Sequence, residues 1–248
     1  MPTTLYALPA SHPCAAIEVA LRLKGIPYER VDMIPVVSKL QQWRRFGGVT
    51  VPGIVFEDGE RVLGSREIVR SLEHRAAEPH LLPLDGRERR TVEEAELWGD
   101  QVLQPLARRI LWAGLRHRTD ALMGYSVQSD LPVPRPLARL SAPLVVQAAS
   151  RANQANDANV RADLINLDFN LDRADHWVKT GAIGGTEHPN AGDLQVGSGL
   201  ALLMTVEDLR DRIAGRVSGD VARRWFPDYP GRLPAGSFPA QWLTARAP

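Results

Sequence analysis

Ser11, His12 and Cys14 stand within one short stretch, between an apolar run (Thr4-Leu5-Tyr6-Ala7-Leu8) and residues with helical spacing from Ala15 to Lys24. Cys14 is the only cysteine among 248 residues. A strand, a tight turn carrying Ser11 and Pro13, and a helix start would aim backbone N–H groups and a hydroxyl at one point. That arrangement holds a thiolate or another small anion. The same residues also make a plain helix start, because Ser is a good N-cap and Pro fits the first turn. A lone Cys one turn into a helix is more often a small buried hydrophobe than a nucleophile. Elsewhere the sequence has no metal-ligand spacing, no phosphate loop and no Ser-His-Asp arrangement, and its six histidines are scattered.

Positioning that turn requires a sheet and helices around it. The pattern predicts a strand over 3–8, then a helix ended by Gly25, with Ile17, Ala20 and Leu21 on one face. A second strand is expected over 26–32, a short helix over 38–45 and a third strand over 49–56. Pro52 has no N–H for a ladder, so it belongs at a strand start or edge, or follows a cis bond. Asp58-Gly59 reads as a hairpin turn before a return strand over 61–63. Ser65 then caps a helix over 66–74, with Ile68 and Leu72 inward. The order βαβαββα, with an antiparallel last pair, is an α/β unit of mixed connectivity.

Residues 77–86, with two prolines and a glycine, form a linker, and the strand signal ends there. A long helix is expected over 88–118, bent at Pro105. Leu131-Pro-Val-Pro-Arg-Pro136 breaks the chain, and 142–155 is weakly helical. Residues 156–178 read as one amphipathic helix, with Val160, Leu164, Leu167, Leu171 and Trp177 on one face. The helix from Asn190 is apolar nearly all round and should be central. Two short helices, over 206–214 and 219–226, precede a Pro/Gly-rich end anchored by Trp242. The expected domains are 1–78 (α/β), 79–87 (linker) and 88–248 (an all-α bundle).

Composition narrows the function classes. Hydrophobic residues make up 44% and charged residues 24%, with a formal net charge of +1. No strong field therefore favours nucleic acid or an anionic membrane. No apolar run of about 18 residues exists to span a bilayer. The first residues lack a charged n-region and a long apolar h-region, so no secretion signal is expected. One cysteine cannot form an internal disulfide, and the cytoplasm is the expected location.

Four groups of residues together resemble the cytosolic glutathione S-transferase superfamily, a thioredoxin-like domain followed by a helical domain. They are Ser11-His-Pro-Cys14 ahead of a helix ending Leu23-Lys-Gly-Ile-Pro-Tyr-Glu29; Val51-Pro52; Asp58-Gly59 followed by Leu63-Gly-Ser-Arg-Glu-Ile68; and Asn190-Ala-Gly-Asp193-Leu194. The resemblance implies an enzyme that activates glutathione, or another low-molecular-weight thiol, for attack on an electrophilic small molecule. It implies a homodimer with glutathione as co-substrate and no permanently bound cofactor. A thiol reductase, isomerase or dehalogenase on the same fold, and a non-catalytic binding protein, are the rival readings.

By the same resemblance Ser11 takes the place of the catalytic Ser or Cys, with Cys14 and Tyr6 as alternatives. Tyr6 would serve as in tyrosine-type members, although it is about one residue out of register. Lowering a thiol pKa of ~8.5 by about two units requires ~2.7 kcal/mol of preference for the thiolate. A hydroxyl donor and a helix N-terminus could supply it. His12 could bond the tripeptide or act as a base. Val51 and Pro52 would pair with its cysteinyl part like an added strand. Ser65, at a helix start, suits the γ-glutamyl carboxylate. Gly64 departs from the family's Glu/Gln, and Arg66 could compensate. Lys39, Arg44 and Arg45 are candidates for the glycyl carboxylate. Trp98, Leu111, Trp112 and Tyr125 are the candidate acceptor pocket. Asp193 is expected to be structural, through a reciprocal cap with Asn190.

Overall fold

Alternation decides the first strand. In β1 (Thr4–Ala7) Leu5 and Ala7 are fully buried, while Thr4 and Tyr6 are only partly covered. The computed structural model describes residues 1–35, 37–130 and 133–244. After β1 come α1 (His12–Leu23), β2 (Glu29–Asp32), α2 (Ser38–Phe46), β3 (Gly53–Val55), β4 (Arg61–Leu63) and α3 (Ser65–Arg75). The sheet order is β2-β1-β3-β4. β1 runs parallel to β2 and antiparallel to β3, which is antiparallel to β4. This is a thioredoxin-like domain. The strands are shorter than the apolar runs suggest, because β3 begins only after Pro52 and its missing donor.

The rest is helical: α4 (Gly86–Trp98), a π segment (Gly99–Leu103), α5 (Gln104–His117), a 3-10 segment (Thr119–Ser126), α6 (Arg135–Ala152), α7 (Asp157–Ile165), α8 (Leu167–Lys179), α9 (Ala191–Met204), α10 (Glu207–Ala214), α11 (Val217–Trp225) and α12 (Ala240–Thr244). Trp242 is buried, as an anchor should be. In α9 every residue from Ala191 to Leu203 is buried. It packs against α4, α5, α10 and α11 and also against α1, so it joins the two halves.

Three helix expectations change in detail. The long helix at 88–118 becomes α4, a π segment and α5. Pro105 has no N–H for the carbonyl four residues back, and the wider π turn absorbs that loss. The helix expected over 156–178 is two, divided at Asn166, whose Nδ2 donates to Ala162 O (2.9 Å). A side chain that bonds the backbone competes with the helix ladder. α6 starts at Arg135, well before 142, because a proline in a helix's first turn is tolerated. The Pro-rich break begins at Leu131-Pro132, outside the described residues, as do residues 245–248 of the chain's end.

The linker is tied down from both sides. Buried Lys24 donates to Glu73 Oε1 (2.5 Å), Ala76 O (2.6 Å) and Ala77 O (3.0 Å). Ala191 N at the start of α9 donates to Leu81 O (2.8 Å).

Candidate active site

The β1–α1 turn places Ser11 at the N-cap of α1. Its carbonyl accepts the first helix bond from Ala15 N (2.9 Å), but its hydroxyl makes no capping bond. The hydroxyl acts on the nearby Cys14 thiol, where it favours the ionised form. Burial outweighs that contact and the Leu8 backbone, and pushes the Cys14 thiol up to about 11. Cys14 is therefore a protonated thiol at neutral pH and a poor nucleophile. His12, the next residue, is 1% exposed and its Nε2 has no partner. Burial, and then the Arg108 charge, hold it well below the usual histidine range, so the ring is neutral.

Tyr6 belongs to the opposite face of the sheet from Leu5 and Ala7. Its ring meets Phe46 edge-on at 5.9 Å and carries the Arg45 guanidinium 4.0 Å from its centre. Arg45 is thereby occupied, and Lys39 is exposed on α2. The Val51–Pro52 peptide is cis, and Pro52 O accepts from Gly64 N (2.9 Å). No described residue hydrogen-bonds to the main-chain N–H or C=O of Val51.

Gly64 has φ +94°, a conformation that a side chain opposes. The first bond of α3 runs from Ile68 N to Gly64 O (3.0 Å), so the N–H groups of Ser65 and Arg66 are open at the helix end. The Ser65 hydroxyl accepts from Gln195 Nε2 (2.8 Å), and Gln195 Oε1 accepts from Gln104 Nε2. Arg66 Nε lies 3.3 Å from Glu96 Oε2.

A cavity of about 430 Å³ opens beside Ser11 and Cys14. Tyr125, Trp225, Phe226 and Tyr229 supply its aromatic wall, and Glu18, Arg22 and Arg30 its charged one. The Tyr229 hydroxyl donates to Ala10 O (2.6 Å), so the segment after α11 clamps the β1–α1 turn. Val51, Pro52, Ser65 and Arg66 do not line this cavity.

Residues 5–80 match the family described as "Glutathione S-transferase, N-terminal domain". Solved structures agree over nearly the whole chain. A glutathione S-transferase from Sinorhizobium meliloti 1021 superposes with a TM-score of 0.61 at 16% identity, covering 99% of each chain. One from Rhodospirillum rubrum F11 gives 0.56 at 19% identity, over 90% of this chain and 85% of the other. One from Methylobacterium radiotolerans, in complex with glutathione sulfonate, gives 0.50 at 16% identity, over 89% and 93%. Over nearly its whole length the chain shares the fold of these glutathione S-transferases, and its residues 5–80 match their N-terminal domain. No curated protein sequence matches it.

Within this glutathione S-transferase fold, the four candidate acceptor residues separate. Tyr125 lines the cavity, and its hydroxyl shares a 2.8 Å bond with Thr205 Oγ1. Trp98 packs edge-on against Trp177 at 5.0 Å. Leu111 is buried in the core, and the carbonyl of Trp112 accepts from Ser150 (3.1 Å). None of these three lines the cavity.

Sequence reasoning missed Gln195 and Tyr229. A signal existed for Gln195 alone, an amide within a helix otherwise apolar on every side. No helix of the described residues is long and apolar enough to cross a membrane.

Proposed function

We propose that this chain is a thiol-dependent transferase that uses glutathione and acts on an electrophilic small molecule. The observation that carries the reading is the Ser11 hydroxyl. It stands at a helix N-terminus, makes no capping bond and belongs to a residue that lines the cavity beside α1. A bound thiol presented there gains a donor and the positive end of α1, both of which favour its thiolate.

Other groups support the pose. The open main chain of Val51 pairs with the cysteinyl part of the tripeptide as an added strand. The open N–H groups at the start of α3 take the γ-glutamyl carboxylate. The Methylobacterium relative, which holds glutathione sulfonate, has the same fold. The thiolate sulfur then attacks an electrophilic carbon in the cavity beside Ser11. The carbon–sulfur bond forms and the leaving group departs with its electron pair. The enzyme works as a cytoplasmic homodimer in this reading.

A second reading, a binding protein without turnover, is favoured by Gly64. It offers no side chain for the γ-glutamyl amine, and its φ of +94° disfavours one. Retention on immobilised glutathione, with turnover of 1-chloro-2,4-dinitrobenzene, separates the two. Ser11→Ala is expected to lower turnover about 10²-fold, as loss of one preorganised donor does elsewhere. Cys14→Ala is expected to leave turnover unchanged. Retention without turnover selects the binding protein, and equal turnover in Ser11→Ala removes Ser11 from the chemistry.

A further inference from the structure

Among the described residues, two other than glycine take a positive φ: Ala10 (+49°) and Gln154 (+55°). A β-carbon opposes that conformation, so it persists only where the surroundings hold it. Ala10 lies in the turn between β1 and α1, directly before Ser11. The turn's own bond is long, from Ser11 N to Leu8 O at 3.2 Å. The Ala10 carbonyl is held from elsewhere. The Tyr229 hydroxyl donates to it at 2.6 Å, across 219 positions of sequence. No other described residue donates to that carbonyl.

Tyr229 is itself held on both sides. The strap of chain that follows α11 is buried at Phe226 and again at Leu233. Leu233 N donates to Thr205 O (2.8 Å) and Leu233 O accepts from Glu207 N (3.0 Å), which ties the strap to the end of α9. Between these anchors Pro227 and Pro230 remove backbone freedom. Gly231, at φ +91°, lets the strap run against the Tyr125 ring; a β-carbon there would lie 2.2 Å from Tyr125 Cδ1. Tyr125 is fixed in turn by its 2.8 Å bond with Thr205 Oγ1. Burial holds the Tyr229 hydroxyl well above the usual tyrosine range, so at neutral pH it keeps the proton it donates.

We infer that Tyr229 is a positioning residue: through the Ala10 carbonyl it holds the left-handed turn that aims the Ser11 hydroxyl, so a strap of the helical half sets how the thioredoxin-like half treats a sulfur. The sulfur rests on the transferase reading; the hold on the turn does not. Ser11 is the one residue between Ala10 and α1, with extended backbone (φ −79°, ψ 115°). Its hydroxyl makes no capping bond that would fix it independently, so its direction follows the backbone. Without the Tyr229 hydroxyl, Ala10 relaxes towards the negative-φ regions open to any residue, and Ser11 turns with it. Glycine at position 10 would keep the left-handed turn without a clamp, because it has no β-carbon to oppose it.

Tyr229→Phe removes the hydroxyl and keeps the ring that walls the cavity. Hydrogen–deuterium exchange over residues 8–15 reads the turn with no ligand present. Exchange there should rise at least tenfold in Tyr229→Phe, and adding Ala10→Gly should restore most of the protection. Circular dichroism shows that both variants are folded. With saturating glutathione, thiolate absorbance at 240 nm should show the bound thiol ionising about one unit higher in Tyr229→Phe, a tenfold smaller thiolate-to-thiol ratio. The kcat for 1-chloro-2,4-dinitrobenzene should fall about tenfold while KM for glutathione stays within about twofold, the split expected when binding is kept and activation lost.

A lower melting temperature with exchange and thiol ionisation unchanged would show a purely structural bond and overturn the inference. Exchange that stays fast after Ala10→Gly is added would overturn the route through the left-handed turn. Failure of the wild type to bind glutathione, with exchange responding as stated, would fault the transferase reading and leave the hold of Tyr229 on the turn standing.

Discussion

Ser11 and Cys14 share one turn and line the same cavity, but Ser11 is half-buried whereas Cys14 is 1% exposed. Burial pushes Cys14 up to about 11, so its native form keeps a proton that the unfolded chain loses nearer 9. Where the native state binds more protons, stability falls as pH rises. The Cys14 contribution is therefore full below about 9 and is lost towards about 11. At pH 8, iodoacetamide should label the unfolded chain and spare the native one. Rapid native labelling by mass spectrometry would show that Cys14 is open and reactive after all. The residue chemistry was partly legible. Cys14 is conspicuous as the single cysteine, and the family resemblance pointed to Ser11. Tyr229 was not legible, because nothing in a sequence tells that its hydroxyl finds Ala10 O.

The elements were legible where local chemistry decides them. The Asp58-Gly59 turn, the βαβαββα order and the Asn190–Asp193 capping box follow from residues close in sequence. Both capping bonds are 3.0 Å, and Asp193 Oδ1 also accepts from Gly184 N (2.6 Å). Asp193→Ala should cost about 1–2 kcal/mol in a denaturant titration, the usual range for losing a cap. Burial nevertheless raises the Asp193 carboxyl to about 6, against these bonds. The native state then binds the extra proton between about 4 and about 6, so stability should fall as pH rises across that window. Asp193→Asn should flatten that slope. An unchanged slope would place the titration elsewhere. Helix boundaries were less legible, because Asn166 divides a periodic run and Pro105 is absorbed by a π turn rather than a bend alone. The Cβ of an alanine at Gly99, inside that π turn, would lie 2.9 Å from Gln195 Cβ and 3.2 Å from the α9 backbone. That closeness of α4 to α9 depends on tertiary packing, which a sequence pattern does not carry.

At the scale of the molecule, the two halves meet through α9 and through a polar seam that sequence reading missed. Gln195 links Ser65 to Gln104, and Glu96 draws Arg66 and Arg70 onto α4. Glu96 is fully buried, and removing one member of such a pair leaves charges uncompensated. Glu96→Gln should therefore destabilise the chain by about 3 kcal/mol in thermal or urea unfolding, with both halves melting together. A smaller effect confined to one half would mean that the seam does not couple them. The C-terminal clamp of Tyr229 on Ala10 fixes the turn that carries Ser11. The whole architecture thus converges on how that hydroxyl treats a bound sulfur. Titrating the thiolate absorbance of bound glutathione at 240 nm tests this most directly. In the wild type the bound thiol should ionise about two units below its ordinary ~8.5, a preference of ~2.7 kcal/mol. Ser11→Ala should bind glutathione and return the thiol to its ordinary value. The same thiol pKa in both proteins would contradict the assignment of Ser11.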